Sequence, residues 1–335
     1  MKTEALACRK LSDVVVAQLV CPCCRGELAT SARAFITCQS CQAKFPIVDG
    51  IPILIDDKNS VFAVSDFVSR RDTYFSTSPP LKQRLRGFIP SLSRNIKAEE
   101  NYANFASLLR ESAAAAKPRV LILGGSIMGE GMGSLLSRSD IEFVESDVAF
   151  GPRTGIILDG HAIPFSDSSF DGIIVQAVLE HVVDPYRVVD EIHRVLKDDG
   201  IVYSDTPFMQ QVHGGPYDFT RFTHLGHRRL FRKFDEIGSG AVCGTGMALA
   251  WSYKFFLMSM TNNKIARKLL ATFAAFTSFF LKYLDYLTID NSASLDAASG
   301  YWFIGRKSSA TLSDRELLLA YRGVGRAAGI GEITG

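Results

Sequence analysis

The spacing of apolar residues changes along this chain, and each change marks an element. Over residues 186–196, Val188, Val189, Ile192, Val195 and Leu196 fall on one helical face, while Arg187, Asp190, Glu191, Arg194 and Lys197 fall outside it. Ile173, Ile174 and Val175 are apolar without alternation, as a strand covered on both faces of a parallel sheet must be. With the Asp199-Gly200 turn behind them, residues 159–207 predict a strand end, a loop, a buried strand, a polar loop, an amphipathic helix and a further strand. This is a βαβ unit whose polar residues collect where its strands end. Ligands of open α/β sheets bind at those carboxyl ends.

The pattern extends in both directions. A helix over 98–116 gathers Tyr102, Phe105, Leu108 and Leu109 on one side and stops at Pro118. Residues 119–124 and 141–145 read as the first two core strands. The link around 149–154 is too short for a crossover helix, so either a loop makes the crossover or the strand limits lie elsewhere. A helix is expected over 225–234, with Arg228, Arg229, Arg232 and Lys233 on its solvent face, and the last two strands over 234–243 and 300–306. Between those strands lies an insertion of about fifty residues (248–298) rich in Phe, Leu and Ala. Its longest apolar run, 269–281, is shorter than the ~20 residues that span a bilayer. A buried helix is the expectation. An interfacial helix is the alternative, kept open by Lys264, Arg267, Lys268 and Lys282 at the ends of the run.

Composition adds limits. At 335 residues with 47% hydrophobic and 21% charged content, the chain can bury a full core and holds one large domain plus a smaller one. A net charge of +2 argues neither for nor against nucleic acid, which needs a localised basic face. No signal peptide is apparent, which points to the cytoplasm, where paired cysteines indicate metal more than disulfides. Five of seven cysteines lie within 21–41. Cys21 and Cys24 form one C-x-x-C pair and Cys38 and Cys41 another, a spacing that builds a closed tetrahedral zinc site. Cys23 sits inside the first pair and competes as a ligand. A closed four-cysteine site leaves no open position, so its metal is structural. A module of ~40 residues needs such a staple because it cannot bury enough core.

The same stretches carry a family resemblance. Asp159, Ile163-Pro164-Phe165, Ser169-Phe170-Asp171, Leu179-Glu180-His181 and the Leu-Lys-x-x-Gly of 196–200 occur in the order and spacing of class I S-adenosylmethionine (SAM) dependent methyltransferases. The resemblance covers roughly 119–307. Residues 45–55, with Asp49-Gly50 as a turn between two short strands, resemble the small zinc-ribbon proteins that act as partners or fused domains of methyltransferases. It implies an α/β, Rossmann-like seven-stranded sheet with helices on both faces, preceded by a four-cysteine ribbon. The domains expected are a ribbon (1–57), a linker with cap helices (58–117), the methyltransferase core (118–308) and a partly disordered tail (309–335).

The resemblance also implies a cofactor site. Gly124, Gly125 and Gly129 would bring backbone against the methionine end of SAM, although Ile122 and Ser126 stand where the family has an acidic residue and a glycine. Glu145 would take the ribose hydroxyls, with Asp147 as fallback. Asp159 and the following backbone, His161 included, would hold adenine. Residues from Gln176 to His181 would line the boundary between cofactor and substrate. After the fifth strand, 206–223 crowds polar and aromatic groups onto one loop and resembles the H-x-x-P-x-D-x-x-R-[FY]-T stretch of bacterial methyltransferases, some of them in surface-sugar pathways. His213 is the candidate base there, Asp218 its orienter, and Tyr217 and Arg221 the substrate contacts. In the other reading Asp218 pairs with Arg221 and caps the next helix.

The leading expectation is therefore methyl transfer to a small-molecule or glycan-pathway acceptor. The alternatives are an RNA methyltransferase with a substrate-binding ribbon and a non-catalytic methyltransferase-like subunit. A peripheral membrane or dimer contact is expected through about 264–287.

Overall fold

The structure, a computed structural model, describes residues 8, 10–32, 34–71, 73, 88–112 and 117–325. Most of the linker between 72 and 87, the last turn expected of the 98–116 helix and the end of the tail lie outside the described residues.

Four short strands come first: β1 Leu28–Ala32, β2 Phe35–Cys38, β3 Lys44–Val48 and β4 Ile51–Leu54. Asp49 and Gly50 both take positive φ (52° and 78°), the two-residue hairpin geometry that matches strand twist. Seven further strands follow: β5 Arg119–Leu123, β6 Glu142–Asp147, β7 Ile156–Leu158, β8 Phe170–Gln176, β9 Leu196–Pro207, β10 Phe234–Cys243 and β11 Gly300–Lys307.

The expected count of seven does not describe the sheet, which has eleven strands in the order β1-β2-β3-β4-β7-β6-β5-β8-β9-β11-β10. The reason lies in β4, which pairs parallel with β7 (Ile53 opposite Ile157, Leu54 opposite Leu158). Pairing there fills the edge of β7, whose backbone groups would otherwise stay open. The ribbon thus continues the core sheet, in which only β11 runs antiparallel to its neighbours β9 and β10. Between β6 and β7 the crossover is a loop without a helix, resolving the two options left by the sequence.

Each face of the sheet has its own core. Leu121, Leu123, Ile173 and Val175 pack with Val188, Val189, Ile192 and Val195 of the helix Pro185–Val195, and with Ile36 and Phe45 of the ribbon. Val120, Ile122 and Ile174 face the other way, onto Tyr102, Phe105 and Leu109 of the helix Ala98–Ser112. Two covered faces account for the unalternating strands.

Two expectations about surface charge fail. Glu191 is buried, accepting from Ile163 N (2.9 Å), Arg25 (3.0 Å) and Arg194 (2.7 Å). Arg228, expected on the solvent face of the helix His224–Leu230, is buried too, paired with Glu236 at 2.9 Å and donating to the carbonyls of Phe231 and Phe234. In both places the charge is tolerated because partners satisfy it.

The insertion forms helices Thr245–Ser259, Lys264–Ser278, Leu281–Thr288 and Ser294–Ala297. The expected burial of 269–281 does not hold. Ala274, Ala275 and Ser278 are buried, but Leu269, Phe273, Phe276 and Phe280 are exposed. The small residues allow close helix approach on one side and leave the large ones outward. Among the described residues, no helix is long and apolar enough to cross a membrane.

Candidate functional site

The four cysteines come together as their spacing requires. Sγ atoms of Cys21, Cys24, Cys38 and Cys41 all lie within 4.8 Å of one another, with Cys21–Cys41 at 3.7 Å and Cys24–Cys38 at 3.5 Å. Tetrahedral zinc with bonds of about 2.3 Å separates its sulfurs by about 3.8 Å, so the donor set fits the metal. Cys23 stays outside the group. Burial opposes ionisation of Cys38, but backbone N–H groups of Cys41 and Ser40 bring its thiol down to about 7, whereas burial raises that of Cys21.

The cofactor cleft opens at the carboxyl ends of β5 to β8. It is lined by Leu123, Gly124, Ser146, Asp147, Leu158, Asp159, His161, Val178 and His181. Among the described residues, no lysine or arginine lines it. Gly124 sits at φ 77°, and a Cβ there would come within 2.5 Å of the Val178 side chain. Only glycine makes that turn and leaves the floor of the cleft open. Gly125 donates to Ser146 O (2.8 Å), which ties the turn to β6. A Cβ on Gly129 would fall 1.6 Å from Gln176 Oε1, and Gln176 Nε2 donates to Glu130 O at 3.4 Å. Gln176 therefore braces the glycine loop and is not a cleft-lining residue.

Of the two carboxylates at the end of β6, Asp147 faces the cleft. It accepts from Ser126 N at 3.0 Å, and burial raises its pKa. Glu145 does not line the cleft and pairs with Arg153. Asp159 ends β7 with both oxygens engaged. One meets His161 N (3.0 Å) and Nδ1 (2.6 Å), and the other accepts from Ser60 Oγ at 2.5 Å. Burial opposes ionisation, yet His161 and Ser60 hold the carboxyl below its usual range. A group of fixed charge on a fixed arm results.

Ser60 announces a wall that sequence reasoning missed. The segment after β4 runs along the cleft, and Val61 and Phe62 line it. The ring of Phe62 stacks on Tyr217 with centroids 5.6 Å apart. Nothing local marks these residues; they reach the cleft because β4 is anchored on β7.

At the other end lies a polar cluster. Glu180 is fully buried, and among the described residues neither carboxylate oxygen has a well-placed hydrogen-bond donor. His181 Nε2 and His213 Nε2 stand 3.5 and 3.7 Å from its Oε1. His181 is oriented through Nδ1, which lies 2.7 Å from Tyr217 O, and burial lowers its pKa. The Glu180 carboxylate raises that of His213. Asp205, at the end of β9, is pushed up to about 7 by burial and by Glu180. Neither acid was singled out from the sequence, although Glu180 lies within the Leu-Glu-His motif.

Asp218 and Arg221 are joined in two places, through Nη1 and through Nη2 at 3.0 Å. Asp218 also accepts from His213 N (2.8 Å) and Gly214 N (3.1 Å), while Arg221 Nε donates to Gln210 O (2.8 Å). Arg221 and the two N–H groups hold Asp218 well below the usual carboxylate range despite its burial. The pair stitches the loop together. Asp218 stands 3.7 Å from His213 Nδ1 and fixes that ring through its backbone more than through its nitrogen.

Two separate stretches of the chain match known proteins. Residues 137–204 match a family described as a methyltransferase domain. A UPF0434 protein from Dechloromonas aromatica (strain RCB) is 44% identical over 41 residues, 12% of this chain and 71% of that protein. Among solved structures, phosphoethanolamine N-methyltransferase 2 of Haemonchus contortus in complex with SAM is similar at 14% identity and a TM-score of 0.37, over 65% of this chain and 55% of that one. The [4+2]-cyclase SpnF is similar at 14% identity and a TM-score of 0.37, over 69% and 92%.

Proposed function

We propose that this chain, which belongs to the class I SAM-dependent methyltransferases and carries a zinc ribbon of the UPF0434 family, methylates a small-molecule or glycan-pathway acceptor. The observation that carries the reading is the cleft, a half-enclosed space with no lysine or arginine among the described residues of its lining, closed on one side by Phe62 and Tyr217. An RNA backbone would meet no lysine or arginine among those described residues. When bound, SAM supplies a methyl group on a sulfonium that is already a good leaving group. The residues of the chain then have to align and shield.

In this reading the turn at Gly124 and Gly125 backs the methionine end. Asp147 takes the ribose hydroxyls, the fallback assignment, since Glu145 is committed to Arg153. Asp159 and the backbone beside His161 flank adenine. The acceptor enters between Tyr217 and the histidine pair, whose rings meet edge to face at 4.9 Å. His213 takes the acceptor's proton. Its pKa, raised by Glu180, keeps the conjugate acid stable beside a buried carboxylate. Asp218 and Arg221 hold the loop that presents it.

The test is transfer of labelled methyl from SAM into fractionated extract. Label in small, phenol-excluded metabolites or glycan precursors is expected, and label confined to RNA overturns the reading. At saturating acceptor, His213→Ala should lower kcat by about 10²-fold or more. Unchanged turnover would remove His213 from the chemistry.

A further inference from the structure

We propose that the helical insertion is a docking surface for anionic lipid, which would hold the cleft at a membrane surface without crossing it. The observation is an outward apolar stripe with the period of a helix. On Lys264–Ser278 and just beyond it, Ile265, Leu269, Phe273, Phe276 and Phe280 are all exposed, Ile265 at 72% and Leu269 at 67%. At 100° per residue these five fall within about 80° of arc. The stripe continues along Leu281–Thr288 through Tyr283, Leu284 and Leu287, the last 81% exposed. Opposite it, Ala274, Ala275 and Ser278 are buried. The helix is therefore amphipathic in an inverted sense. Its small residues face the protein and its largest apolar ones face out. Isolated exposed leucines are ordinary, but a continuous row of this length is not.

Charge selects the occupant. From Gly244 to Leu284 the chain has no aspartate or glutamate, and it has Lys254, Lys264, Arg267, Lys268 and Lys282. Lys282 is spent inside the protein on Ser91 O (2.6 Å), and Lys254 lies over the Trp251 ring. Lys264, Arg267 and Lys268 remain exposed on the first turns of their helix. That is the wrong end for cations, because the helix dipole is positive there. Anionic headgroups would relieve this repulsion while the stripe enters the acyl boundary. A second copy would not, since symmetric pairing brings the same cations together with no carboxylate between them. Nucleic acid would satisfy the cations and leave the aliphatic stripe in water.

The surface is joined to both walls of the site. Gln211 of the loop after β9 donates to Ser252 Oγ at 3.1 Å. Arg94 bridges Tyr286 Oη (3.4 Å) and Glu130 of the glycine loop (3.4 Å). Docking at the stripe thus sets the orientation of the cleft to the lipid surface. This inference stands apart from the methyl-transfer reading and does not depend on it.

The experiment is sedimentation of the full chain with vesicles of phosphatidylcholine alone or mixed with phosphatidylglycerol, alongside light scattering without lipid. Binding to the mixed vesicles is expected, weakening as salt rises. Phe273→Ser with Phe276→Ser should abolish it while leaving the thermal melt unchanged, because both rings are exposed. Replacing Lys264, Arg267 and Lys268 with Gln should weaken binding to the mixed vesicles roughly a hundredfold, since each cation near an anionic surface contributes about 1 kcal/mol. Failure of the wild-type chain to sediment with mixed vesicles overturns the proposal. So does a lipid-free dimer that the double Phe substitution dissociates, since the stripe would then belong to a second copy.

Discussion

Removing zinc from the ribbon should weaken SAM binding at a cleft the metal does not touch. The connection runs through β4. The four cysteines hold β1 to β3, β3 turns into β4, and β4 lies on β7. The next residues deliver Ser60 to Asp159 and Phe62 to Tyr217. If the ribbon melts, those contacts lose their anchor. A hydrogen bond to a charged group contributes about 1.5–3 kcal/mol and a ring pair about 0.5–1.5. Together they make about 2–4.5 kcal/mol, which at about 1.4 kcal/mol per decade is a roughly 30- to 1600-fold rise in Kd for SAM. Titration calorimetry on zinc-loaded and chelator-treated protein measures it directly. Phe62→Ala with zinc retained isolates the stacking part and should cost about 2- to 10-fold. A zinc-free chain that keeps its fold and its SAM affinity would refute the coupling, because β4 and the wall would then stand without the metal.

The two carboxylates of β6 should separate cleanly. Asp147→Ala is expected to raise the Kd for SAM by about 10- to 100-fold through loss of hydrogen bonds to a charged group. Glu145→Gln should leave that Kd within about twofold while lowering thermal stability, because Glu145 serves Arg153. His227 carries a pH dependence. It is fully buried between Phe231 and Phe303, with Nε2 2.9 Å from Ser204 Oγ, and burial pushes its pKa down to about 3. The unfolded chain, titrating near 6.5, takes up the proton first, so this contribution is complete above that value and is lost as pH falls. At pH 5 the loss is about 2 kcal/mol. Asp205, raised to about 7, acts in the opposite sense, so the quantity to measure is the difference in urea-melt pH dependence between wild type and His227→Gln. An unchanged slope in the variant would contradict it.

What the sequence made legible was local. Two residues separate the cysteines of each knuckle, a spacing that singles them out as ligands, and their positions then leave Cys23 outside the group. The helix Pro185–Val195 announces itself by period, within a residue of its observed limits, and the apolar run 173–175 marks β8, which begins three residues earlier. The glycine turn was readable because a positive φ at Gly124 is a property of one residue and its neighbours. The remaining features are pairings between distant positions. Arg228 looks like a surface cation until Glu236 and two carbonyls fold over it. Glu191 looks exposed until Arg25 arrives from the ribbon. Phe62 has no motif at all, and its place follows from a strand pairing across about a hundred residues of chain. For the insertion, composition revealed an apolar helix but not which way its large side chains would point. That depended on Ala274, Ala275 and Ser278 supplying the close contact.

The pairing of β4 with β7 also carries a consequence for the order of events during synthesis. Ile53 leaves the ribosome about a hundred residues ahead of its partner Ile157. At about 5–20 residues per second, that is an interval of roughly 5–20 s. For this time β4 would be an apolar strand with one unpaired edge, the state in which chains misassociate. The ribbon is complete by then, so early metal capture would hold β4 in its hairpin until β7 appears. Zinc supply during translation, more than zinc content afterwards, would then set the yield of folded protein.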